Sequence, residues 1–170
     1  MTQEEFQHTV IPLKHKLYRF ALHYLSNEED ARDVVQDVML KVWESGSKLT
    51  VVRNIEAWCM TLCRNRSLDK LKRKDRLQED VKEHIHLKVE APSAVTLADR
   101  KAMMIRIRRV MNNLPDAQKE VLLLRDFEGR SYQEIAEILN MDINLVKVNL
   151  HRARKSLRVH VMDYKEHGIQ

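Results

Sequence analysis

The stretch SYQEIAEILNMDINLVKVNLHRARKSLR, residues 131–158, constrains the fold more than any other part of the chain. Its first half is apolar at a helical period, and Ser131 with Glu134 forms the S-x-x-E capping box that starts a helix. Asn140 tolerates the left-handed conformation that ends a helix, and Asp142 is a suitable N-cap for the next one. The sequence therefore predicts two helices joined by a short turn, which is the layout of a helix-turn-helix.

The second helix of this pair is predicted to have one buried face and one basic face. On a helical wheel the apolar side carries Val146, Leu150, Ala153 and Leu157. The opposite side carries Val148, His151, Arg152, Lys155 and Arg158. Between positions 146 and 158 there are five Lys or Arg and no Asp or Glu. A major groove about 12 Å wide admits such a helix, where arginine can read guanine and valine can meet a thymine methyl group. A solvated basic face is the alternative, but the capped helix and short turn before it favour DNA.

The rest of the chain is also predicted to be helical. With only 3 Gly and 3 Pro in 170 residues, there is little turn chemistry for a many-stranded sheet. Apolar residues recur at helical spacing over residues 10–25 and 28–44, and a third helix opens near Asn54, a plausible cap. Residues 75–97 show no sustained stripe and contain Pro92, which favours a linker. We therefore predict an all-α fold of two small helical domains, residues 1–74 and 98–170, joined by that linker.

The helix over residues 28–44 is predicted to expose an acidic face. Its buried stripe consists of Ala31, Val34, Val35, Val38 and Val42. The residues that point away from this stripe are Asp33, Gln36, Asp37, Leu40 and Glu44. A leucine surrounded by acids suits a basic protein partner and not DNA, which the acids would repel. An ordinary solvated face is the alternative, since single exposed leucines are common.

The third helix ends in a basic segment. Residues 64–76 contain seven Lys or Arg and two Asp, so that side chains such as Lys70 and Arg73 are candidates for phosphate contacts. Trp43 and Trp58 fit a core at helical spacing, with stacking on nucleic-acid bases as the less favoured alternative.

Several function classes are disfavoured by the sequence. Cys59 and Cys63 fit two reduced core residues better than a redox pair or half of a metal site with His84 and His86, because four soft ligands at a recognisable spacing are absent. We predict no cofactor and no enzyme, since no phosphate-binding glycine loop, nucleophile elbow or HExxH motif occurs. No apolar stretch approaches the ~20 residues of a spanning helix, and the N-terminus lacks an apolar signal core. We expect a cytoplasmic protein without membrane insertion.

The segment LPDAQKEVLLLRDFEGRSYQEIAEILNMDINLVKVNLHRARKSLR closely resembles region four of extracytoplasmic-function sigma factors, the small promoter-recognition subunits of bacterial RNA polymerase. The matching features are Leu114-Pro115, EG-SYQEIAEIL and VK-x-x-L-H-R-A-R-K-x-L. Leu145 departs from the threonine that the family often carries at the start of this helix. The resemblance implies a domain that reads the minus-thirty-five promoter element, with candidate DNA contacts at Ser131, Tyr132, Lys147, Val148, Asn149, His151, Arg152, Arg154 and Lys155.

The segments DARDVVQDVMLKVWE and NIEAWCMTLCRNRSLDKLKRK resemble region two of the same family. The resemblance implies that the acidic helix docks on the clamp coiled coil of core RNA polymerase. It also implies that the loop over residues 45–54, with the start of the third helix, captures the minus-ten element as single-stranded DNA, where a flipped base needs hydrogen bonds on its pairing edge. The candidate contacts are Lys48, Thr50, Arg53, Asn54, Arg64, Asn65, Lys70 and Arg73.

Taken together, the two resemblances imply a sigma factor that binds core RNA polymerase and promoter DNA and directs promoter-specific transcription initiation. They also imply an anti-sigma factor as a further partner. The alternative is an autonomous helix-turn-helix regulator that binds DNA without polymerase. Such regulators usually dimerise to read spaced half-sites, and the sequence shows no strong heptad seam for a dimer.

Overall fold

The computed structural model describes the backbone of residues 2–46, 52–79 and 95–167, and the side chains of residues 2–46, 52–74 and 102–160. These residues form helices, turns and connecting segments with no strand among them, which confirms the prediction of an all-α fold. The N-terminal half contains helices α1 to α4, and the C-terminal half contains α5 to α8.

The first helix of the N-terminal half was not predicted. Helix α1 (Gln3–Thr9) begins at a capping box in which Thr2 Oγ1 accepts from the Glu5 backbone amide and the Glu5 carboxylate accepts from the Thr2 amide. A short 3-10 helix (Ile11–Leu13) contains Pro12 near its start, and α2 (Lys14–Leu25) follows it. The helix predicted over residues 10–25 therefore begins later, because proline fits the first turn of a helix but not its interior.

Three helices build the core of the N-terminal half. After a left-handed residue at Ser26 (φ 54°), Asn27 caps α3 (Glu28–Glu44) by accepting from the Asp30 amide at 2.9 Å. Asn54 caps α4 (Ile55–Glu79) as predicted, since its Oδ1 accepts from the Ala57 amide at 3.0 Å. The α3 residues that are buried against α2 and α4 include the whole predicted stripe: Ala31, Val34, Val35, Val38 and Val42. Helix α4 continues five residues beyond the predicted domain end at residue 74.

The C-terminal half packs three helices against the longest one. Helix α5 (Val95–Asn112) begins three residues before the predicted domain start at residue 98. Helix α6 (Asp116–Leu122) starts after Pro115 and continues into a π-helical turn (Leu123–Phe127). Helices α7 (Tyr132–Leu139) and α8 (Ile143–His167) follow, and α5, α6 and α7 all contact α8.

The two halves touch each other. Helix α2 contacts the π-helical turn, and α4 contacts α7, so that the buried apolar residues of both halves form one continuous cluster. Residues 80–94, which fall within the predicted linker, lie outside the described residues.

The left-handed residue between α7 and α8 gives a test of the local fold. Asn140 has φ 48° and ψ 53°, a conformation that costs most residues with a Cβ roughly 1–2 kcal/mol. We expect Asn140→Ala to lower the free energy of unfolding by about 1 kcal/mol. Asparagine tolerates the left-handed backbone conformation because its short polar side chain can form local hydrogen bonds, and alanine lacks such a side chain. Asn140→Gly is the control and is expected to match the original stability in urea unfolding. Equal stability of the alanine and glycine variants would contradict the account.

Candidate functional site

The turn between α7 and α8 has the geometry predicted for a helix-turn-helix. Ser131 Oγ accepts from the Glu134 amide at 3.2 Å, and the Glu134 carboxylate accepts from the Ser131 amide at 2.8 Å. The Asn140 amide donates to backbone carbonyls at the end of α7, and Asp142 Oδ1 accepts from the Asn144 amide at 2.8 Å. The three caps read from the sequence are confirmed, and they fix the direction in which α8 leaves the turn.

Helix α8 exposes the basic face that the sequence predicts. Its stripe is turned inward, with Val146, Leu150 and Ala153 buried and Leu157 half-buried. The opposite face is exposed at Val148, His151, Arg152, Lys155 and Arg158. The exposed fraction of Val148 is 41%, which leaves an apolar isopropyl group among the cations. The arrangement can place a row of guanidinium and ammonium groups against an anionic groove.

Asn149 does not share this exposed face. Its side chain is buried, with 7% of its surface exposed. Its Nδ2 donates to the Leu145 carbonyl at 3.0 Å and lies 3.7 Å from the Met141 sulfur. Because the amide is directed into the turn, we remove Asn149 from the predicted DNA contacts and assign it to the packing of the turn against α8.

A cleft of about 560 Å³ lies beside the basic face, and Tyr132 forms part of its wall. The Arg125 guanidinium lies 4.7 Å and the Lys147 ammonium 5.9 Å from the centroid of the half-buried Tyr132 ring. Arg154, another wall residue, donates from Nε to Asp126 Oδ2 at 3.0 Å. This hydrogen bond and the charge of Asp126 raise the pKa of Arg154. Arg154 is thus a fixed cation that already has a carboxylate partner.

The acidic face of α3 is exposed as predicted, at Asp33, Gln36, Asp37, Leu40 and Glu44. Leu40 is 58% exposed, so that an apolar side chain is open to solvent among the acids. Trp43, which the sequence favoured as a core residue, is 48% exposed instead. Its ring meets Phe6 of α1 edge to face, with the centroids 5.3 Å apart. The missed helix α1 therefore adds an aromatic contact beside the acidic face.

The candidate region-two contacts have different surroundings. Lys48 and Thr50 lie outside the described residues. Arg53, Asn54, Asn65 and Arg73 are exposed, although the Asn54 side chain is engaged as the cap of α4.

Two further candidates from that set, Arg64 and Lys70, are engaged by carboxylates. Arg64 Nε lies 2.8 Å from Glu120 Oε1, and this hydrogen bond raises the pKa of Arg64. Lys70 Nζ lies 2.7 Å from Asp33 Oδ2 and 3.3 Å from Asp30 Oδ1. Neither cation is free for nucleic acid in this arrangement, which departs from the prediction of Arg64 and Lys70 as DNA contacts.

The cysteine pair has the surroundings of core residues. Cys59 and Cys63 are free thiols with no exposed surface, and burial raises the pKa of each to about 12. Thiols with such pKa values stay protonated and are poor nucleophiles or metal ligands. Among the side chains that the structure describes, no group of three His, Cys, Asp or Glu is arranged to hold a metal ion. His84 and His86 lie outside the described residues.

The length and apolar character of each described helix decide whether it could cross a membrane. Across the described parts of the chain, none of them combines the length and the apolar character needed to cross a bilayer.

Two sigma-70 family models match the chain in consecutive order. The model for Sigma-70 region 2 matches residues 10–77, which include α2, α3 and most of α4. The model for Sigma-70, region 4 matches residues 104–157, which include the helix-turn-helix. The region 2 match includes the acidic face of α3, and the region 4 match includes most of the basic face of α8.

Individual relatives and solved structures agree with these matches. The chain is 24% identical to the ECF RNA polymerase sigma factor SigE of Mycolicibacterium smegmatis over 91% of this chain, and it spans 61% of the length of that relative. It is 28% identical to the RNA polymerase sigma factor SigV of Bacillus subtilis over 86% of this chain and 84% of SigV. In structure it is similar to the sigma factor RpoE from Bartonella quintana, solved in complex with the anti-sigma factor NepR. That similarity has a TM-score of 0.75 at 24% identity and covers 94% of this chain and 98% of RpoE.

Proposed function

The chain belongs to the sigma-70 family as an RNA polymerase sigma factor of the extracytoplasmic-function group, and we propose which of its two exposed faces binds core polymerase and which binds promoter DNA. It binds core RNA polymerase and directs promoter-specific transcription initiation. The family is one of non-enzymatic transcription factors. The observation that carries the proposal is that the acidic face of α3 and the basic face of α8 are both exposed and lie in separate family regions.

We propose that the acidic face of α3 docks on core polymerase. Leu40 supplies apolar area at its centre, and Asp33, Asp37 and Glu44 supply negative charge around it. Interfaces of this kind pair an apolar centre with a complementary charged rim, which fits a basic protein surface. Trp43, with Phe6 against its ring, widens the apolar part of this surface.

Helix α8 is assigned to the minus-thirty-five element. Arg152 and Val148 are proposed to meet base edges, because arginine pairs bidentately with guanine and an aliphatic group fits a thymine methyl. Lys147, Arg154 and Lys155 are proposed to contact phosphates. Arg154 then either leaves the Asp126 carboxylate for the phosphate or donates to both. His151 lies on the same exposed face, and Tyr132 borders it from the start of α7. Ser131, the exposed N-cap that precedes Tyr132, is proposed as a further contact.

The minus-ten element is assigned to the N-terminal half. The proposed contacts from the loop and the start of α4 are Lys48, Thr50, Arg53 and Asn54, and those from further along α4 are Arg64, Asn65, Lys70 and Arg73. Arg64 and Lys70 must first leave the carboxylates that hold them.

Location and regulation follow from this role. We propose that the protein acts in the cytoplasm, where core polymerase and promoter DNA are found. An anti-sigma partner is also proposed, because the structurally similar RpoE was solved in complex with the anti-sigma factor NepR.

Lys155→Ala tests the assignment of phosphate contacts. Each phosphate that a protein neutralises steepens the salt dependence of duplex binding by about 0.9 in the slope of log K against log salt. We expect Lys155→Ala to reduce that slope by about 0.9 for the holoenzyme on promoter DNA and to leave base preference unchanged. Glu137→Ala on the exposed side of α7 is the control. An unchanged slope would show that Lys155 does not contact a phosphate.

A mobility-shift titration separates the sigma factor from an autonomous regulator. The chain alone is expected to bind promoter duplex weakly and with little sequence preference, whereas addition of core polymerase should produce a promoter-specific complex. Tight and specific binding by the chain alone, unaffected by core polymerase, would support the regulator instead.

A further inference from the structure

Asp126 places a carboxylate beside the basic face of α8. The stretch of α8 from Ile143 to His160 contains no Asp or Glu, and the described side chains that line the cleft beside this face include none that is acidic. Asp126 comes instead from the π-helical turn and is exposed. It reaches the cleft through its pair with Arg154, which is one of the lining residues. A phosphate that enters the cleft therefore meets a carboxylate as well as cations.

The pair between Asp126 and Arg154 is bidentate. Arg154 Nε donates to Asp126 Oδ2 at 3.0 Å, and Arg154 Nη2 donates to Asp126 Oδ1. Two parallel hydrogen bonds fix the plane of a guanidinium group. A guanidinium carries five N–H groups, and Asp126 accepts from two of them, which leaves three on edges that Asp126 does not occupy. Arg154 can therefore donate to a phosphate while it keeps its carboxylate partner.

The backbone that presents Asp126 is held in place on both sides. Arg125 Nη1 donates to the Arg130 carbonyl at 2.6 Å, and its guanidinium lies 4.7 Å from the centroid of the Tyr132 ring. The Arg130 amide donates to the Leu124 carbonyl at 2.9 Å. Single π-helical turns are rare and frequently lie at functional sites. Asp126 is thus a carboxylate on a fixed support and not one on a loose loop.

The pair removes one positive charge from the face that DNA approaches. Nonspecific binding to duplex DNA depends on how many phosphates the protein neutralises, and the carboxylate of Asp126 cancels the charge that Arg154 would bring. The two side chains are 49% and 32% exposed, so their attraction is that of a surface pair and does not explain by itself why the pair is here. Asp126 therefore lowers the electrostatic attraction for any duplex, whatever its sequence.

Promoter DNA regains part of what nonspecific DNA loses. Ordering a long side chain at an interface costs roughly two- to tenfold in affinity. Asp126 already holds the Arg154 guanidinium in one plane, so a phosphate that fits this plane avoids that cost. DNA that is not seated in one register does not benefit, because it needs no fixed geometry. A repulsive element of this kind increases the difference between the two affinities.

We propose that Asp126 determines specificity by weakening the attraction of α8 for nonspecific duplex DNA while it orients Arg154 toward one phosphate of the promoter. Asp126 acts through Arg154 and is therefore a positioning residue. The inference rests on the proposed function, since it requires α8 to dock on duplex DNA. It concerns the ratio of promoter to nonspecific affinity, which decides where a protein binds among many competing sites.

The proposal is tested with three variants of the full chain and a matched control. Asp126→Asn keeps the shape of the side chain and removes its charge, whereas Asp126→Glu keeps the charge. Asp126→Asn combined with Arg154→Gln removes both charges of the pair. Glu137→Gln removes a carboxylate from the exposed side of α7 and is the control. Asp126 is exposed, so these changes disturb no buried contact, and circular dichroism checks the fold.

The first measurement is binding of the chain to a duplex without promoter elements, over a range of salt concentrations. Asp126→Asn should steepen the slope of log K against log salt by about 0.9 and raise the affinity roughly eightfold at about 0.1 M salt, because one more cation becomes available to phosphates. Asp126→Glu and Glu137→Gln should keep the original slope. The double variant should return to the original slope, because its pair carries no net charge.

The second measurement is the ratio of promoter to nonspecific affinity of the holoenzyme. Asp126→Asn should lower this ratio roughly two- to tenfold, because only promoter binding loses the fixed orientation of Arg154. Glu137→Gln should leave the ratio unchanged. A purely structural role for Asp126 would change the stability in urea but neither the salt slope nor the ratio.

Two results would overturn the proposal. One is an unchanged slope in Asp126→Asn under conditions in which Lys155→Ala reduces the slope. The other is a gain in affinity that is equal for promoter and nonspecific DNA. Failure of the proposed function looks different: in that case Lys155→Ala also leaves the slope unchanged, and the assignment of α8 to DNA is lost together with the role of Asp126.

Discussion

Leu40→Arg combined with Asp37→Lys is expected to abolish binding to core RNA polymerase and to leave the fold intact. Both side chains are exposed on α3, and Leu40 has 58% of its surface in water, so neither change disturbs the packing against α2 and α4. The double change removes the apolar centre of the proposed docking face and reverses its charge, which turns attraction to a basic partner into repulsion.

Fluorescence titration with core polymerase measures this effect, and circular dichroism checks the helical content. Gln133→Arg with Glu137→Lys places the same change of charge on exposed positions of α7 and is expected to retain binding. If the α3 variant bound core polymerase as tightly as the original chain, the docking face would have to be sought elsewhere.

Arg152→Ala is expected to weaken promoter binding by about 1–3 kcal/mol and to relax the preference for one base pair of the minus-thirty-five element. Arg152 is exposed in the middle of the basic face of α8, and a bidentate arginine–guanine pair discriminates against the wrong base by that amount. Truncation to alanine leaves the buried stripe of α8 untouched.

The measurement compares holoenzyme affinity for a promoter with its affinity for single-base variants. The base that Arg152 reads is identified as the one whose replacement no longer lowers the affinity of the alanine variant. Lys155→Ala serves as the comparison, because loss of a phosphate contact weakens all sequences alike. A uniform loss in Arg152→Ala as well would reassign Arg152 to the phosphate backbone.

Features that depend on neighbouring residues could be predicted from the sequence. The stripes of α3 and α8 follow from helical periodicity, and the caps at Ser131, Asn140 and Asp142 follow from side chains that satisfy free backbone groups at helix ends. Helix α1 was missed although Thr2 and Glu5 carry the same capping-box signal as Ser131 and Glu134. Its short length of seven residues gives too few turns for a clear apolar stripe.

Features that depend on distant residues could not be predicted. Glu120 meets Tyr24 and Arg64 only because α6 packs against α2 and α4, and no periodicity connects positions so far apart. Likewise, Lys70 appeared free for phosphate because its partners Asp30 and Asp33 lie on another helix. Asn149 was placed among the DNA contacts because it is polar and adjacent to the basic face, but the turn before α8 buries it.

Run-off transcription with purified components tests most directly that this protein directs polymerase to promoters. Core polymerase, the chain and fragmented genomic DNA are combined, and the transcripts are sequenced to map their starts. Our account predicts discrete start sites that share two upstream elements and that require both core polymerase and the chain. Start sites that are the same with and without the chain would contradict it.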